Sequence, residues 1–270
     1  MIRTNFHTHT KYSDGRDTPI EMIEKAISLG FRALGFSDHS YTHEREDYAM
    51  THEGEREYRR EIRALSKEYS DRIRIYCGLE QDSKSAFPAP ENYDYIISSV
   101  HELMYHGDFY PVDSKSEIQR ALAENVFGGD IVEMSKVYFN KLTEHVIEQK
   151  TDIVGHFDLV TKYSLVPEED PKYVDAALEA IREIVKHCKL FELNTGAIAR
   201  GLRTVPYPAP FMIDEIKRLG GSFVVSSDCH DRNKLDFWFN EAEKLLLSHG
   251  FKKNEHADIN GIVRDVEIWT

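Results

Sequence analysis

The stretch IRTNFHTH at residues 2–9 shows the pattern that decides the fold, a short strand-like segment that runs directly into metal-binding side chains. Later apolar segments end in the same way, in His, Asp, Glu or Asn. In chain order the seven segments are residues 2–6, 33–37, 73–79, 95–100, 153–155, 190–193 and 222–227. Side chains at the carboxyl ends of parallel strands converge on one face of an α/β barrel. The repeated placement predicts a multinuclear metalloenzyme.

Helical patterns alternate with these strands. Thr18-Pro19-Ile20-Glu21 forms a capping box with proline in the first turn, so a helix is expected from there to about residue 29. The other helical patterns cover residues 54–69, 130–149, 173–189, 210–219 and 234–249, and residues 261–270 alternate like a strand. Such alternation allows a barrel or an open doubly wound sheet. An open sheet concentrates its ligands at one switch point, so ligands from six of the seven strands favour a closed barrel.

Size and composition restrict the function classes. The 270 residues contain no linker or low-complexity stretch, so a single domain is expected over residues 1–270. The net charge of −13 argues against a nucleic-acid-binding surface, and no apolar run approaches the length of a membrane span. An odd number of cysteines, Cys77, Cys188 and Cys229, and the lack of a signal peptide predict a reducing, cytoplasmic location. In an extended segment Cys229 would point to the face opposite Asp228 and His230, so we expect Cys229 to be buried in the core.

The residues at the strand ends form a coherent ligand set. They are His7, His9, His39, Glu80, His101, His156, Asp228 and His230. Imidazole and carboxylate suit Zn, Mn or Fe, and the absence of thiolates argues against a structural zinc site. A carboxylate such as Glu80 can bridge two ions, and paired ions can clamp the attacking and leaving oxygens of a phosphoryl displacement. The ligand set therefore indicates a hydrolase.

These motifs resemble those of the polymerase and histidinol phosphatase (PHP) superfamily. The matching motifs are His7-x-His9 with Asp14, Asp38-His39, Glu80, Ser99-Val-His101, Gly155-His156 and Ser227-Asp228-x-His230. The resemblance implies a distorted, TIM-like (β/α)7 barrel that holds three divalent metal ions. It assigns His7, His9, Glu80 and Asp228 to the first ion, Glu80, His101 and His156 to the second, and Asp14, His39 and His230 to the third.

Within the superfamily the chain is most similar to the stand-alone L-histidinol-phosphate phosphatases. The loop after His101 and the segment from Glu192 through Arg200 to Tyr207-Pro208 both resemble theirs. The resemblance implies a phosphomonoesterase of histidine biosynthesis, whose partner is a small phosphate ester. The long loop at residues 102–129, with a short helix around residues 117–125, is expected to be a lid or substrate-binding element, or else a packing insertion.

Further residues are candidates for contacts with such a substrate. Arg200, Arg203 and Lys162 could bind phosphoryl oxygens, since cationic side chains suit them. Asp17 and His43 could protonate the leaving alkoxide, or hold the ammonium and imidazole groups of the substrate. The hypothesised mechanism is one in-line displacement by a metal-activated hydroxide, without a phosphoenzyme.

Two alternatives remain open at this stage. The same ligands could serve another PHP phosphoesterase or a nuclease acting on a different phosphoester. The acidic composition and the lack of a basic, aromatic-rich groove count against polymeric nucleic acid. A non-catalytic metal-binding module is the second alternative, and the complete ligand set counts against it. The sequence specifies neither the metal nor the oligomeric state.

Overall fold

The computed structural model describes residues 1–42, 47–85 and 89–270. Its strands are β1 (Thr4–Asn5), β2 (Ala33–Phe36), β3 (Arg74–Asp82), β4 (Tyr95–Ser99), β5 (Glu102–Tyr105), β6 (Asp108–Pro111), β7 (Ile153–Val154), β8 (Leu190–Asn194), β9 (Ser222–Ser226), β10 (Lys253–Ile259) and β11 (Val263–Trp269). Its α-helices are α1 (Pro19–Ser28), α2 (His52–Glu68), α3 (Ser116–Val126), α4 (Ile131–Glu148), α5 (Pro171–Ile184), α6 (Gly196–Ala199), α7 (Pro210–Arg218) and α8 (Phe239–Ser248). Short 3₁₀ turns cover Pro90–Asn92, Leu159–Thr161 and Arg232–Lys234.

The large sheet is parallel through the seven predicted strands and curls into a barrel. Its order is β1-β2-β3-β4-β7-β8-β9, followed by the antiparallel pair β11-β10. Just beyond β1 and β9, an isolated parallel bridge joins Thr8 to Cys229, and the amide of His9 donates to the carbonyl of Cys229 at 3.0 Å. The first and last parallel strands therefore meet at their carboxyl ends, and the prediction of a TIM-like barrel is confirmed.

A carboxy-terminal hairpin closes the opposite end of the barrel. β11 pairs with β9 at Trp269 and Phe223, and β10 pairs only with β11. The hairpin side chains Val263, Val266 and Ile268 pack in one cluster with residues that start strands, such as Ala33, Tyr95, Ile153 and Leu190. The apolar cluster therefore fills the end of the barrel where the strands start, and the polar residues lie at the other end, where the strands finish. The predicted strand at residues 261–270 is confirmed, whereas its partner β10 was not predicted.

The helices follow the predicted segments with shifts at their ends. The capping box of α1 is present, with the Thr18 side chain accepting from Glu21 N and the Glu21 carboxylate accepting from Thr18 N. The helix expected at residues 234–249 begins later, at Phe239, because Trp238 adopts a left-handed conformation with φ of 65° that interrupts the helical path. No helix in the described ranges is long and apolar enough to cross a membrane.

The long loop at residues 102–129 has structure of its own. It contains the hairpin β5–β6 and the helix α3, of which only the helix was predicted. His106 and Gly107, both with positive φ, form the two-residue turn between the strands, which is the backbone conformation that such tight hairpins need. Val112 is fully buried, and its amide donates to the carbonyl of His101 at 2.9 Å. The loop is therefore tied to the polar end of the barrel.

Candidate metal centre

All nine predicted ligands come together at the carboxyl ends of the strands. They form four overlapping groups in which one donor atom from each residue lies within 4.8 Å of the others. The groups are His9, Asp14, His39 and His230; His7, Glu80 and His156; His7, His9 and Asp228; and His39, Glu80 and His101. The parallel topology explains the convergence, because eight of the nine residues lie at or within a few positions of the end of a strand, and Asp14 lies in the loop between β1 and α1.

Glu80 lies at the centre of the cluster and faces it with both oxygens. Oε1 lies 2.9 Å from Nε2 of His156 and 3.5 Å from Nε2 of His101. Oε2 lies 3.1 Å from Nε2 of His7 and 3.0 Å from Nδ1 of His39. The carboxylate therefore divides the imidazoles into two sets, as a bridging ligand would.

Asp14 and His230 complete the cluster on its open side. Oδ1 of Asp14 lies 3.1 Å from Nε2 of His230 and 3.7 Å from Nε2 of His39. The side chain of Asp14 is 31% exposed, whereas that of Glu80 is 1% exposed. A metal ion held by Asp14 and His230 would therefore be more accessible to a substrate than an ion held by Glu80.

Asp228 reaches the cluster through a backbone turn. Its φ of 46° is left-handed, which differs from the extended segment expected from the sequence. Oδ1 lies 3.2 Å from Nε2 of His9 and 3.7 Å from Nε2 of His7. The next residue, Cys229, is buried in the apolar core, as predicted.

The charges in the cluster stabilise one another. Burial disfavours the imidazolium form of His7, but three neighbouring carboxylates outweigh it and raise the pKa of His7 well above its usual value. Burial also opposes ionisation of Glu80, yet the surrounding imidazoles hold the pKa of Glu80 well below its usual value. Burial and two neighbouring imidazoles lower the pKa of His9 to about 3. Neutral imidazole and ionised carboxylate are the forms that bind metal ions, so a metal ion bound to His7 would displace its proton.

The donor set fits metal ions better than a network of hydrogen bonds. Several buried donor or acceptor atoms have no hydrogen bond to any residue in the described ranges, namely His7 Nε2, His9 Nε2, His39 Nδ1 and Glu80 Oε2. Unsatisfied buried polar atoms are rare in folded proteins and need an explanation. Cations between these atoms would satisfy them, since the atoms face one another across distances of 3.0–3.4 Å. The cluster can therefore bind metal ions.

Three acidic side chains that were not predicted as site residues support the ligands from behind. Glu192 Oε2 lies 2.8 Å from Nδ1 of His7, and its Oε1 accepts from the amide of His156. Asp82 Oδ2 lies 2.9 Å from Nδ1 of His101. Asp38 accepts from the loop between β1 and α1, through the amide of Thr10 at 2.8 Å and the hydroxyl of Ser13 at 2.7 Å. Glu192 and Asp82 are placed to orient metal-binding imidazoles, whereas Asp38 holds the loop that carries Asp14.

The sequence contained a signal for two of these residues. Asp82 lies two residues after Glu80 in β3, and Glu192 lies two residues before Asn194 in β8. Side chains two residues apart in a strand point to the same face. An acidic residue two positions from a strand-end polar residue, in an otherwise apolar strand, could have indicated both.

A cavity of about 590 Å³ is lined by several of the nine ligand side chains, and two predicted substrate residues, Arg200 and Lys162, line it as well. Arg200 contacts Asp228, with Nη2 at 3.0 Å from Oδ2. Lys162 pairs with Asp113, with Nζ at 2.8 Å from Oδ2. The cavity thus combines cationic and anionic side chains beside the cluster.

Arg203 and Asp17, which the sequence also predicted as substrate or catalytic residues, do not line this cavity. Arg203 is buried behind it, where its guanidinium pairs with Glu168 at 3.0 Å and donates to the carbonyl of Thr161 at 3.0 Å. Asp17 accepts from the amide of Arg232 at 2.8 Å and pairs with its guanidinium at 3.3 Å. His43 lies outside the described residues.

Comparisons with known proteins agree on one family. The model of the PHP domain family matches residues 5–196. The histidinol-phosphatase of Lactococcus lactis subsp. lactis (strain IL1403) is 25% identical over 283 residues, which cover 98% of this chain and 97% of the relative. The histidinol-phosphatase of Bacillus subtilis (strain 168) is 24% identical over 261 residues, which cover 88% of this chain and 97% of the relative.

A solved structure has the same fold. The crystal structure of histidinol phosphate phosphatase from Lactococcus lactis subsp. lactis, complexed with zinc, L-histidinol and phosphate, superposes with a TM-score of 0.71 at 20% sequence identity. The match covers 97% of this chain and 98% of that one. The agreement extends over the carboxy-terminal part of the chain, beyond the residues that the family model matches.

Proposed function

Because the chain belongs to the PHP domain family, we propose that it hydrolyses L-histidinol phosphate to L-histidinol and phosphate. The observation that carries the proposal is the convergence of nine metal-binding side chains beneath a cavity that also contains Arg200 and Lys162. Cationic side chains can bind the oxygens of a dianionic ester and metal ions can neutralise its charge, and this cavity has the side chains for both. The choice of ester rests on relatives over nearly the full length that are named histidinol-phosphatase.

We assign the ligands to three divalent ions as the family pattern implies. His7, His9, Glu80 and Asp228 would hold the first ion; Glu80, His101 and His156 the second; and Asp14, His39 and His230 the third. The two-sided contacts of Glu80 and the accessible position of Asp14 support this division. When bound, the ions supply Lewis acidity and hydroxide at neutral pH. Imidazole and carboxylate ligands are compatible with Zn, Mn or Fe.

The protein side chains bind and orient the ester. Arg200 is proposed to donate to the phosphoryl oxygens, since its Nη2 is held by Asp228 beside the cluster while the side chain remains 34% exposed. Lys162, which follows the turn Leu159–Thr161 and pairs with Asp113, is proposed to donate to the phosphoryl oxygens as well. Arg203 donates to the carbonyl of Thr161, and we propose that it supports this turn rather than contacting the phosphoryl group directly.

The proton donor to the leaving alkoxide remains a proposal. Asp17 and His43 were both expected for that role. Asp17 lies 3.3 Å from the guanidinium of Arg232 and accepts from the amide of Arg232, an arrangement that suits holding the loop between β1 and α1 better than donating a proton. We therefore retain His43, which follows the loop of the ligand His39, as the candidate acid.

The remaining expectations concern partners and location. We propose that the only partner needed for activity is the small phosphate ester, without nucleic acid or membrane. A cytoplasmic location is proposed from the cysteines, which are all free and buried in the structure. Burial raises the pKa of each thiol to about 12.

The test compares kcat/KM for L-histidinol phosphate and for a generic aryl phosphate, on protein reconstituted with Zn, Mn or Fe. We expect a preference of several hundredfold for L-histidinol phosphate, which is about 3–4 kcal/mol of transition-state discrimination. Equal, weak rates would direct attention to other phosphoesters. Hydrolysis of neither ester, with a diesterase substrate also inert, would contradict the proposed chemistry.

A further inference from the structure

The cavity also contains a carboxylate that is not one of the proposed metal ligands. Asp113 follows β6 and lines the cavity together with the ligands His101 and His156. It does not belong to any of the groups of potential metal ligands found in the described ranges. Although burial opposes its charge, Lys162 and His101 lower the pKa of Asp113 to about 2. The cavity therefore presents a carboxylate that is paired with Lys162 at 2.8 Å, beside the site proposed for phosphate.

The backbone holds Asp113 in a defined position relative to the cluster. The preceding residue, Val112, is buried, and its amide donates to the carbonyl of His101 at 2.9 Å. The hydroxyl of Tyr163 donates to the carbonyl of Asp113 itself at 2.6 Å. Both anchors lie within one residue of the carboxylate, so its place beside His101 does not depend on the bound ligand.

The carboxylate has unused capacity to accept hydrogen bonds. Nζ of Lys162 lies 2.8 Å from Oδ2, and within residues 1–42, 47–85 and 89–270 no other side chain or amide donates to either oxygen. A carboxylate can accept about four hydrogen bonds. Oδ1 is therefore available to a donor that enters the cavity.

We propose that Asp113 is the specificity-determining residue that binds the ammonium group of the substrate. This inference rests on the proposed function, since it concerns the same cavity. In L-histidinol phosphate the amino group is on the carbon next to the one that bears the ester oxygen. The phosphoryl group and the ammonium group are thus close neighbours, as are Lys162 and Asp113. Lys162 serves the anionic end of the ester, Asp113 serves the cationic end, and the two side chains neutralise each other before the substrate binds.

Among the residues that the structure describes, the other non-ligand carboxylates lining the cavity are Asp47 and Asp231. Oδ1 of Asp231 accepts from the amide and the side chain of Asn233, at 2.9 and 3.0 Å, and Oδ2 lies 3.6 Å from Arg16. Asp231 therefore already has partners on both oxygens. Asp47 is treated as the competing candidate in the experiment.

The experiment compares 2-aminoethyl phosphate with propyl phosphate, two esters of similar size that differ in the ammonium group. The measured quantity is the ratio of their kcat/KM values, so any general loss caused by disturbing Lys162 cancels. We expect Asp113→Asn to lower this ratio about tenfold or more, the effect of removing one charge-assisted hydrogen bond. Asp108→Asn is the matched control, since Asp108 is exposed in the same hairpin and loses the same charge. Its ratio should stay at the wild-type value.

The outcomes separate this inference from the proposed function. A wild-type ratio near one, an unchanged ratio in Asp113→Asn, or a fall confined to Asp47→Asn overturns the assignment of Asp113. Wild-type protein that does not prefer L-histidinol phosphate over an aryl phosphate refutes the proposed function instead. Because 2-aminoethyl phosphate carries no imidazole, its ratio reports on Asp113 even in that case. Turnover of propyl phosphate shows that each variant is folded and loaded with metal.

Discussion

Glu192 offers the most direct test of how the barrel prepares its ligands for metal. This fully buried carboxylate in β8 accepts four hydrogen bonds, two at each oxygen. Oε2 faces Nδ1 of His7 at 2.8 Å, and Oε1 faces the amide of His156. The contact with Nδ1 fixes the tautomer in which Nε2 of His7 carries its lone pair towards the cluster.

The substitution Glu192→Gln keeps the shape and removes the charge. If the new amide group occupies the Oε2 position, it opposes Nδ1–H of His7 and favours the tautomer that cannot bind metal through Nε2. If it occupies the Oε1 position, its N–H groups face the backbone N–H of His156, which can only donate, so that hydrogen bond is lost. Loss of such a supporting carboxylate lowers metal affinity about 10–100-fold, or about 1.4–2.8 kcal/mol.

The assay is competition for zinc between the protein and a chromophoric chelator, with metal content measured after dialysis. Glu179→Gln is the control, because Glu179 is exposed on α5 and undergoes the same change of charge. We expect weaker zinc binding in Glu192→Gln alone. Equal affinity in both variants would refute the reasoning that Glu192 prepares His7 for metal.

Three further predictions concern stability and reactivity. Arg203→Met should lower the free energy of unfolding in urea by about 3 kcal/mol, because Glu168 and the buried Asp158 both lose the guanidinium that pairs with them. Unchanged stability with a raised KM would instead favour the direct phosphate contact expected from the sequence. Two arginines lower the pKa of Glu215 to about 2, so its stabilising effect is complete above its usual pKa of 4.5 and is lost as the pH falls towards 2. Glu215→Gln should therefore lower the free energy of unfolding by about 0.2–1 kcal/mol at pH 7, and denaturation curves should show the difference shrinking below pH 4.5. The three buried cysteines should resist iodoacetamide at pH 8 in the native protein and react fully in denaturant, as mass spectrometry would show; rapid labelling of the native protein would contradict their burial.

Sequence reasoning was most successful where one local rule decided the outcome. Each of the seven strands was predicted from a short apolar run with a polar ending, and the capping box placed the start of α1 correctly. It was less successful where the backbone departs from regular geometry. The left-handed residues Trp238 and Asp228 have no distinctive local pattern, and they changed a helix start and an expected extended segment. The strand β10 is mostly exposed and polar, and therefore lacks the apolar alternation that identifies strands.

The substrate residues show the limit of the same reasoning. Arg200 and Arg203 lie three residues apart in one loop, and the sequence treated both as phosphate contacts. In the structure Arg200 faces the cavity beside Asp228, whereas Arg203 turns away to a buried pair with Glu168. Spacing along the chain does not distinguish them, because the direction of each side chain depends on partners that are distant in sequence.

The sequence by itself determined the alternation of strands and helices, the polar ending of each strand and the identity of eight candidate ligands at the strand ends, to which the family resemblance added Asp14. These properties are local, since they depend on the side-chain period of a strand and on the chemistry of each residue. Only the tertiary structure decided which ligand atoms share a group, that Glu192 and Asp82 support them, and that Asp113 faces the cavity beside Lys162. Those relations join residues from different strands and loops, and they exist only after the barrel has closed.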